Sequence, residues 1–515
     1  MGLLHVALLC LLALVGGSSA SRILFIVPSP SVSHTYPINK VVGALLARGH
    51  HVTHLTADPV QVSNENYTLL DVSSAYSLMR GVNASLIADS SPIVRAQMYH
   101  GIGVEFCHHE LNLPQVKEWV SEKHVFDLVV MERLPYQCFY GLLHSAGYPP
   151  LVGILTLPAM VPAYYTIGNP TNPAYLTDIF VRYSDHMSFW ERLCNTLFHV
   201  RFLHYWFYTV LPEHEALMRK YLGPEPKSVY EVERNFSMIL MTVHFSGDYP
   251  RPHLPSIVEV TGLHVSNKTK PLPKDIKDFL DGAKHGVIYF SLGSNVRSAT
   301  LPEHKKQAFI DAFRELPQRV IWKFEEDTLT NLPPNVLVRK WLPQQDILAH
   351  RNVKLFVMQG GLQSLNEAAL RAIPLVGIPF FSDQEHNCGK IVSAGIGVRL
   401  RHRHITKEAV LRAVRTVLED RTYSENMKQY SKLFREHWET SLDKAVWWLE
   451  YMIRHKGAPH LRSAALDLHW WQLLLLDVIG FILLVAVVAV TVVCFVLRWT
   501  VALVFRSKRD KAKTQ

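Results

Sequence analysis

FVMQGGLQSLNEAALRAIPLVGIPFFSDQ, residues 356–384, is the stretch that decides the fold. Val353–Val357 is a short apolar run of strand type, and Gly360 and Gly361 follow as a two-glycine loop. Ser364-Leu-Asn-Glu367 then reads as a capping box that opens a helix. Leu375–Pro379 is the next buried strand, with the loop Phe380–Gln384 behind it. Strand, glycine loop, helix N-terminus and strand make half of a doubly wound sheet, where ligands gather at the carboxyl ends of the strands. The free N–H groups from Gly361 to Ser364, at the positive end of the helix dipole, predict an anion site for which a diphosphate is a candidate.

Upstream, Gly286–Leu292 (GVIYFSL) is a strand ended by the tight turn Gly293-Ser294, and Arg319–Lys323 and Val336–Arg339 are further strands. Trp341 and Gln344 stand just past the last of these, where a Trp can stack on a flat ring and a Gln can read an amide edge. Pro250, Pro252, Pro255, Pro271 and Pro273 mark a linker. Before it, Ile23–Val27 is a strand, and the loop Pro28–Thr35 leads into a helical stripe of Val41, Val42, Leu45 and Leu46, stopped by Gly49. Val52–Thr56 completes a βαβ unit without G-x-G-x-x-G, which argues against a dinucleotide. The first loop carries His34, and the buried strand Phe126–Met131 ends at Glu132. Tyr164–Leu211 is crowded with aromatics, His and Arg, a composition that suits the wall of a lipophilic pocket. Two amphipathic helices, Lys407–Arg421 and Tyr423–Lys456, are expected to cross back onto the first domain.

At 515 residues the chain is too long for one core. The expected division is a leader at 1–20, a first domain at 21–250, a linker at 251–274 and a second domain at 275–467. The apolar run Leu3–Val15 and the small residues ending at Ala20 fit a secretory leader. Val478–Leu497 is uncharged and long enough to span a bilayer, within a transmembrane helix expected at 473–497. Six basic residues and Asp510 in the tail, 498–515, account for five of the nine net positive charges. The positive charge therefore reads as a topology signal with a cytosolic tail and lumenal domains, and nucleic acid need not be invoked. Lys511 and Lys513 fit a dilysine retrieval signal and a plain stop-transfer tail equally well. Cys107, Cys138, Cys194 and Cys388 are too few and scattered for a disulfide scaffold or a metal site, and a Cys107–Cys138 bond stays open. Asn66, Asn83, Asn235 and Asn267 head glycosylation sequons.

Residues 356–384 as a whole resemble the UDP-glycosyltransferase signature: aromatic-Val, a Gln or His, Gly-Gly, a Glu seven residues after Gly360, a proline-bearing second strand, and Asp-Gln at the end. The resemblance runs from the leader to the basic tail, and the chain looks most like invertebrate members of the animal membrane-bound branch. It implies an α/β fold of GT-B type, with two facing Rossmann-like domains and one C-terminal transmembrane helix, anchored in the endoplasmic reticulum as a single-pass type I protein. It implies His34 as general base toward an acceptor hydroxyl, with Glu132, where the family carries Asp, stabilising the imidazolium. By the same resemblance Trp341 and Gln344 hold the uracil, and Ser291 and Ser294 face the phosphates. Gln359, with Gly360, Gly361, Gln363 and Ser364, surrounds the diphosphate. Glu367 holds the ribose, and Asp383 with Gln384 the sugar.

Met358, Gln359 and Gln363 depart from the usual Thr or Ser, His and Asn. The implied reaction is inverting transfer of a hexose, glucose first, from a UDP-sugar co-substrate to a small lipophilic phenol, alcohol or steroid. Neither cofactor nor metal is expected, because the cleft loops lack a DxD pair. Self-association is compatible with it. Two other classes stay open: a weakened family member that binds without turnover, and a lumenal receptor ectodomain.

Overall fold

A computed structural model describes residues 20–79, 87–158, 160–243, 245–327 and 329–511. The expected leader (apart from Ala20), the sequon at Asn83 and Lys513 lie outside the described residues, as does the side chain of Lys511.

The continuous apolar runs seen in the sequence are what parallel strands covered on both faces require. They form two sheets. The first contains β1 (Arg22–Val27), β2 (His51–Thr56), β3 (Tyr67–Asp71), β4 (Leu128–Glu132), β5 (Leu151–Leu155), β6 (Met238–Met241) and β7 (Ile257–Glu259), in the order β3-β2-β1-β4-β5-β6-β7. The second contains β8 (Val287–Ser291), β9 (Arg319–Lys323), β10 (Val336–Arg339), β11 (Val353–Met358), β12 (Leu375–Gly377) and β13 (Gly397–Arg399), in the order β10-β9-β8-β11-β12-β13. Every strand pairing is parallel. The strand order reverses between β1 and β4 in one sheet and between β8 and β11 in the other, so each has a crevice at those carboxyl ends.

Among the helices are α1 (Val32–Ala47), α2 (Pro92–Glu110), α3 (Leu362–Arg371), α4 (Gln384–Ser393), α5 (Lys407–Glu419), α6 (Arg421–Arg454) and, in a separate unit, α7 (Leu476–Lys511). Ile38, Val41, Val42 and Leu45 of α1 cover one face of the first sheet. Phe106 and Cys107 of α2 cover the other, packing with Leu24 and Ile26. Helix α6 does cross back as its amphipathic pattern implied. Met427, Tyr430 and Phe434 pack on the second sheet, whereas Ala445, Val446, Leu449 and Met452 join Ile23 and Phe25 of the first.

Strands β3, β5, β6, β7 and β13 were not read from the sequence, and β7 also moves a boundary. β7 lies inside 251–274 yet pairs with β6, so the first sheet runs past the expected linker boundary; a three-residue strand between prolines carries too short a pattern to register. Cys107 and Cys138 are joined in a disulfide that ties α2 to the segment after β4. Residues from Ser463 on form a separate unit, in which Leu476–Phe505 of α7 is long and apolar enough to cross a membrane.

Candidate active site

The crevices of the two sheets open on one cavity of about 710 Å³. From the first sheet, the loop after β1 and the start of α1 bring in His34, and β4 ends in Glu132 behind it. His34 Nδ1 and Glu132 Oε1 are 2.7 Å apart, with the carboxylate wholly buried and the imidazole among the cavity's lining. A carboxylate accepts, so Nδ1 carries the proton and donates it, which leaves Nε2 as the basic nitrogen. Burial opposes charge on His34, but the hydrogen bond and charge of Glu132, with a contribution from Asp383, outweigh it and hold the pKa above its ordinary value. The longer Glu therefore reaches His34 directly. Asp383 is buried too, which raises its pKa against the bond it accepts from Asn387 Nδ2 at 2.7 Å.

From the second sheet come the loops after β8, β10, β11 and β12. Gly360 adopts φ of +90°, and a Cβ there would stand 2.6 Å from Cys388 Sγ and 2.9 Å from Gln384 O, so only glycine makes this turn without displacing its surroundings. Helix α3 begins at Leu362 with Gly361 as its N-cap and no side-chain cap, which corrects the capping box expected from Ser364 and Glu367. Ser364 lies in the first turn, where its Oγ accepts from Gln344 Nε2 at 3.0 Å. Glu367 accepts from Gln344 Nε2 at 2.6 Å and Gln345 Nε2 at 3.2 Å. Those contacts come from a loop after a different strand, which local sequence cannot register. They fix the Glu367 carboxylate at the cavity wall, beside the first-turn N–H groups of α3, which no side chain caps.

His34, Ser291, Ser294, Trp341, Gln344, Gln359, Gly361, Gln363, Ser364, Glu367, Asp383 and Gln384 all line the cavity; Glu132 and Gly360 support it from behind. Trp341 is 66% exposed, with the Lys323 ammonium 5.6 Å from its ring centroid, so one face is open for a flat ligand. Ser291 Oγ accepts from Gly293 N at 3.3 Å, and Ser294 is exposed at the rim. Gln359 is buried with its Oε1 unpartnered. Several side chains are occupied differently from expectation. Gln344 Oε1 accepts from Tyr289 OH at 3.1 Å, which engages both ends of its amide. Gln384 Oε1 accepts from Phe380 N at 2.8 Å and Phe381 N at 3.2 Å, turning it back on its own loop. Gln363 Nε2 donates to Thr156 O at 2.7 Å, a contact across the cleft. Met358 is fully buried in the second sheet's core and does not face the cavity, so its departure from the family pattern does not touch the donor.

Sequence reading missed three features. Asn295 Nδ2 donates to Ser31 Oγ at 2.9 Å, a second bond across the cleft. His264 stands 3.5 Å from Glu367. Helix α2 contributes Arg95, Met98, Tyr99, Ile102 and Phe106 to the lining; their i, i+3, i+4, i+7 spacing was the available signal, blurred by polar residues on the same face.

A family model described as UDP-glucoronosyl and UDP-glucosyl transferase matches residues 22–511. This chain belongs to that family. It is a UDP-glycosyltransferase. It is 38% identical to UDP-glucosyltransferase 2 of Dactylopius coccus over 490 residues, covering 94% of this chain and 93% of that protein. It is 30% identical to UDP-glucuronosyltransferase 1A7 of Homo sapiens over 496 residues, covering 92% and 91%. The crystal structure of a calicheamicin glycosyltransferase superposes with a TM-score of 0.55 at 19% identity, covering 86% of this chain and all of that one, and shows the shared GT-B fold.

Proposed function

We propose that this UDP-glycosyltransferase transfers glucose from UDP-glucose to a hydroxyl of a small lipophilic acceptor with inversion at the anomeric carbon. The observation that carries it is the His34–Glu132 pair at the carboxyl edge of the first sheet, facing the glycine loop of the second across one cavity. His34 Nε2 takes the hydroxyl proton as the acceptor oxygen attacks C1 of an α-linked sugar. The C1–O bond to the diphosphate breaks, and its electron pair leaves with UDP. Glu132 stabilises the imidazolium so formed. The leaving charge falls on the free N–H groups of Gly361–Ser364 at the start of α3, a preorganised anion site. Asp383, a lining residue whose charge helps raise the His34 pKa, is assigned to the sugar hydroxyls.

Glucose as donor is supported by the name of the Dactylopius coccus relative. The lipophilic acceptor is supported by Met98, Ile102, Phe106, Leu157 and Phe180 in the lining. The apolar α7 and the basic tail support a single-pass type I membrane protein of the endoplasmic reticulum with lumenal domains. Reaction without a metal is part of the same reading, since the described residues of the lining offer no neighbouring carboxylate pair of DxD type; full activity in EDTA agrees, and loss restored by Mn²⁺ overturns it. One observation favours a binder without turnover: Gln359 replaces a chargeable His and leaves its carbonyl oxygen unpaired at the donor wall. Incubation with UDP-glucose or UDP-glucuronic acid and a naphthol, followed by NMR of the product, tests the reading. A β-glucoside is expected; an α-glucoside refutes inversion, and a glucuronide refutes the donor.

A further inference from the structure

The cavity has two ends of different chemistry. The donor end is polar, lined by Gln359, Ser364, Glu367 and Trp341. The other end rests on α2, where Arg95, Met98, Tyr99, Ile102 and Phe106 form one stripe of a single helix. Arg95 is the exception in this apolar wall. It is 2% exposed, its Nε donates to Ser90 O at 3.2 Å, and its Nη1 is buried with no acceptor.

No carboxylate forms an ion pair with Arg95 among the described residues. Glu385 acts on it only across space, and that carboxylate is already held by Arg182 at 3.2 Å and Arg399 at 3.4 Å. Two guanidinium groups thus hold that carboxylate, and Arg95 is not one of them. Burial and Arg182 push the Arg95 pKa down to about 10, which still leaves the group cationic at neutral pH. A buried cation with an unused donor is costly unless a ligand or partner fills it, and a planar guanidinium matches a carboxylate.

Tyr99, one turn along α2 from Arg95, is close enough to feel the charges of Glu132 and Asp383. Arg95 and Tyr99 both line the cavity, roughly 6 Å apart along α2. An acceptor whose hydroxyl meets His34 would present its far end to Arg95 across the apolar stripe.

We propose that Arg95 is a specificity-determining residue of the acceptor end, and that the acceptor is a hydroxyl compound with a flat apolar body and a carboxylate remote from the reacting hydroxyl. This rests on the transferase reading above and narrows its acceptor class. The probes are a hydroxynaphthoic acid with its two groups at opposite ends and the corresponding amide, equal in shape and differing in charge.

The full-length protein in detergent is titrated with each fluorescent probe, and UDP affinity is measured alongside as a check on folding. The acid is expected to bind the wild type about tenfold or more tightly than the amide, as for a hydrogen bond to a charged group. That ratio falls to about one in Arg95→Met and is intermediate in Arg95→Lys. A wild type that binds the amide as well as the acid overturns the proposal, as does a ratio that survives in Arg95→Met. Should Arg95→Met lose UDP binding through misfolding, the wild-type ratio and Arg95→Lys decide. Glycosylation of both probes is assayed in parallel. Discrimination in binding without any product refutes the transferase reading and leaves the anion subsite standing; product from both probes at equal affinity does the reverse.

Discussion

Replacing Glu132 by Gln perturbs the pair to which the proposed chemistry is assigned while changing almost no volume. The pair lies at 2.7 Å with the carboxylate wholly buried, so the bond to the imidazolium is charge-assisted and little screened. Such a bond is worth about 1.5–3 kcal/mol, or roughly one to two pKa units on His34. The base must be neutral to accept a proton, so activity rises as pH rises through the His34 pKa. Because that pKa is raised in the folded protein, the rising limb of kcat/KM in the wild type sits above the ordinary His value of about 6.5. Without Glu132 the opposing effect of burial is left, and the limb should move to lower pH by about one to two units. The plateau should fall about 10²- to 10⁴-fold, because Gln neither stabilises the imidazolium nor enforces the tautomer with a basic Nε2. Rates are measured with UDP-glucose and a naphthol from pH 5 to 9, beside UDP binding as a control. A plateau within about threefold of wild type, or a limb that stays or moves to higher pH, refutes the dyad.

Trp341→Ala removes the one large, mostly exposed ring at the donor rim, so KM for the UDP-sugar should rise by about tenfold or more with little change in melting temperature; an unchanged KM means the ring does not stack on uracil. Gly360→Ala forces a Cβ against Cys388 and Gln384 O at φ of +90°, which costs about 1–3 kcal/mol and shifts the glycine loop, so retention on UDP-agarose should be lost; normal retention shows that the loop does not hold the diphosphate. Glu110 is buried with both carboxylate oxygens unpartnered, and burial, aided by the charge of Glu132, raises its pKa well above the usual range. Its contribution to stability is complete below the unfolded carboxylate value of about 4.3 and is lost as pH rises toward the folded one. Glu110→Gln keeps the neutral form at every pH and should raise the melting temperature more at about pH 8 than at about pH 5; a gain independent of pH contradicts this.

Strands β1, β2, β4, β8, β9, β10, β11 and β12 were legible as short apolar runs, whereas β3, β5, β6, β7 and β13 were not read, β3 being largely exposed and β7 and β13 only three residues long; the glycine turn was legible because Gly360 has no substitute at its φ. His34 and Glu132 could be paired only through the family resemblance, since they stand 98 positions apart and meet through the β1–β4 neighbour relation. Ser364 and Glu367 have the spacing of a capping box, but Gln344 and Gln345, which open the short helix Gln344–Leu348 after β10, take their side chains, and the cap is Gly361. The family resemblance placed Gln384 on the sugar, yet the turn at Phe380 and Phe381 claims its oxygen. The acceptor wall was the least legible part. Its aromatic content was looked for in 164–211, whereas much of it comes from α2, whose lining stripe alternates Arg, Met, Tyr, Ile and Phe.

The most direct measurement is glucoside formation from UDP-glucose and a panel of phenols, steroids and hydroxy acids, using membranes that contain the full-length protein or His34→Ala. The expected result is product from the wild type and a loss of about 10²-fold or more in the variant, with UDP affinity retained by both. Product formed equally by the variant would contradict His34 as the base, and no product from the wild type, with UDP still bound, would contradict transfer itself.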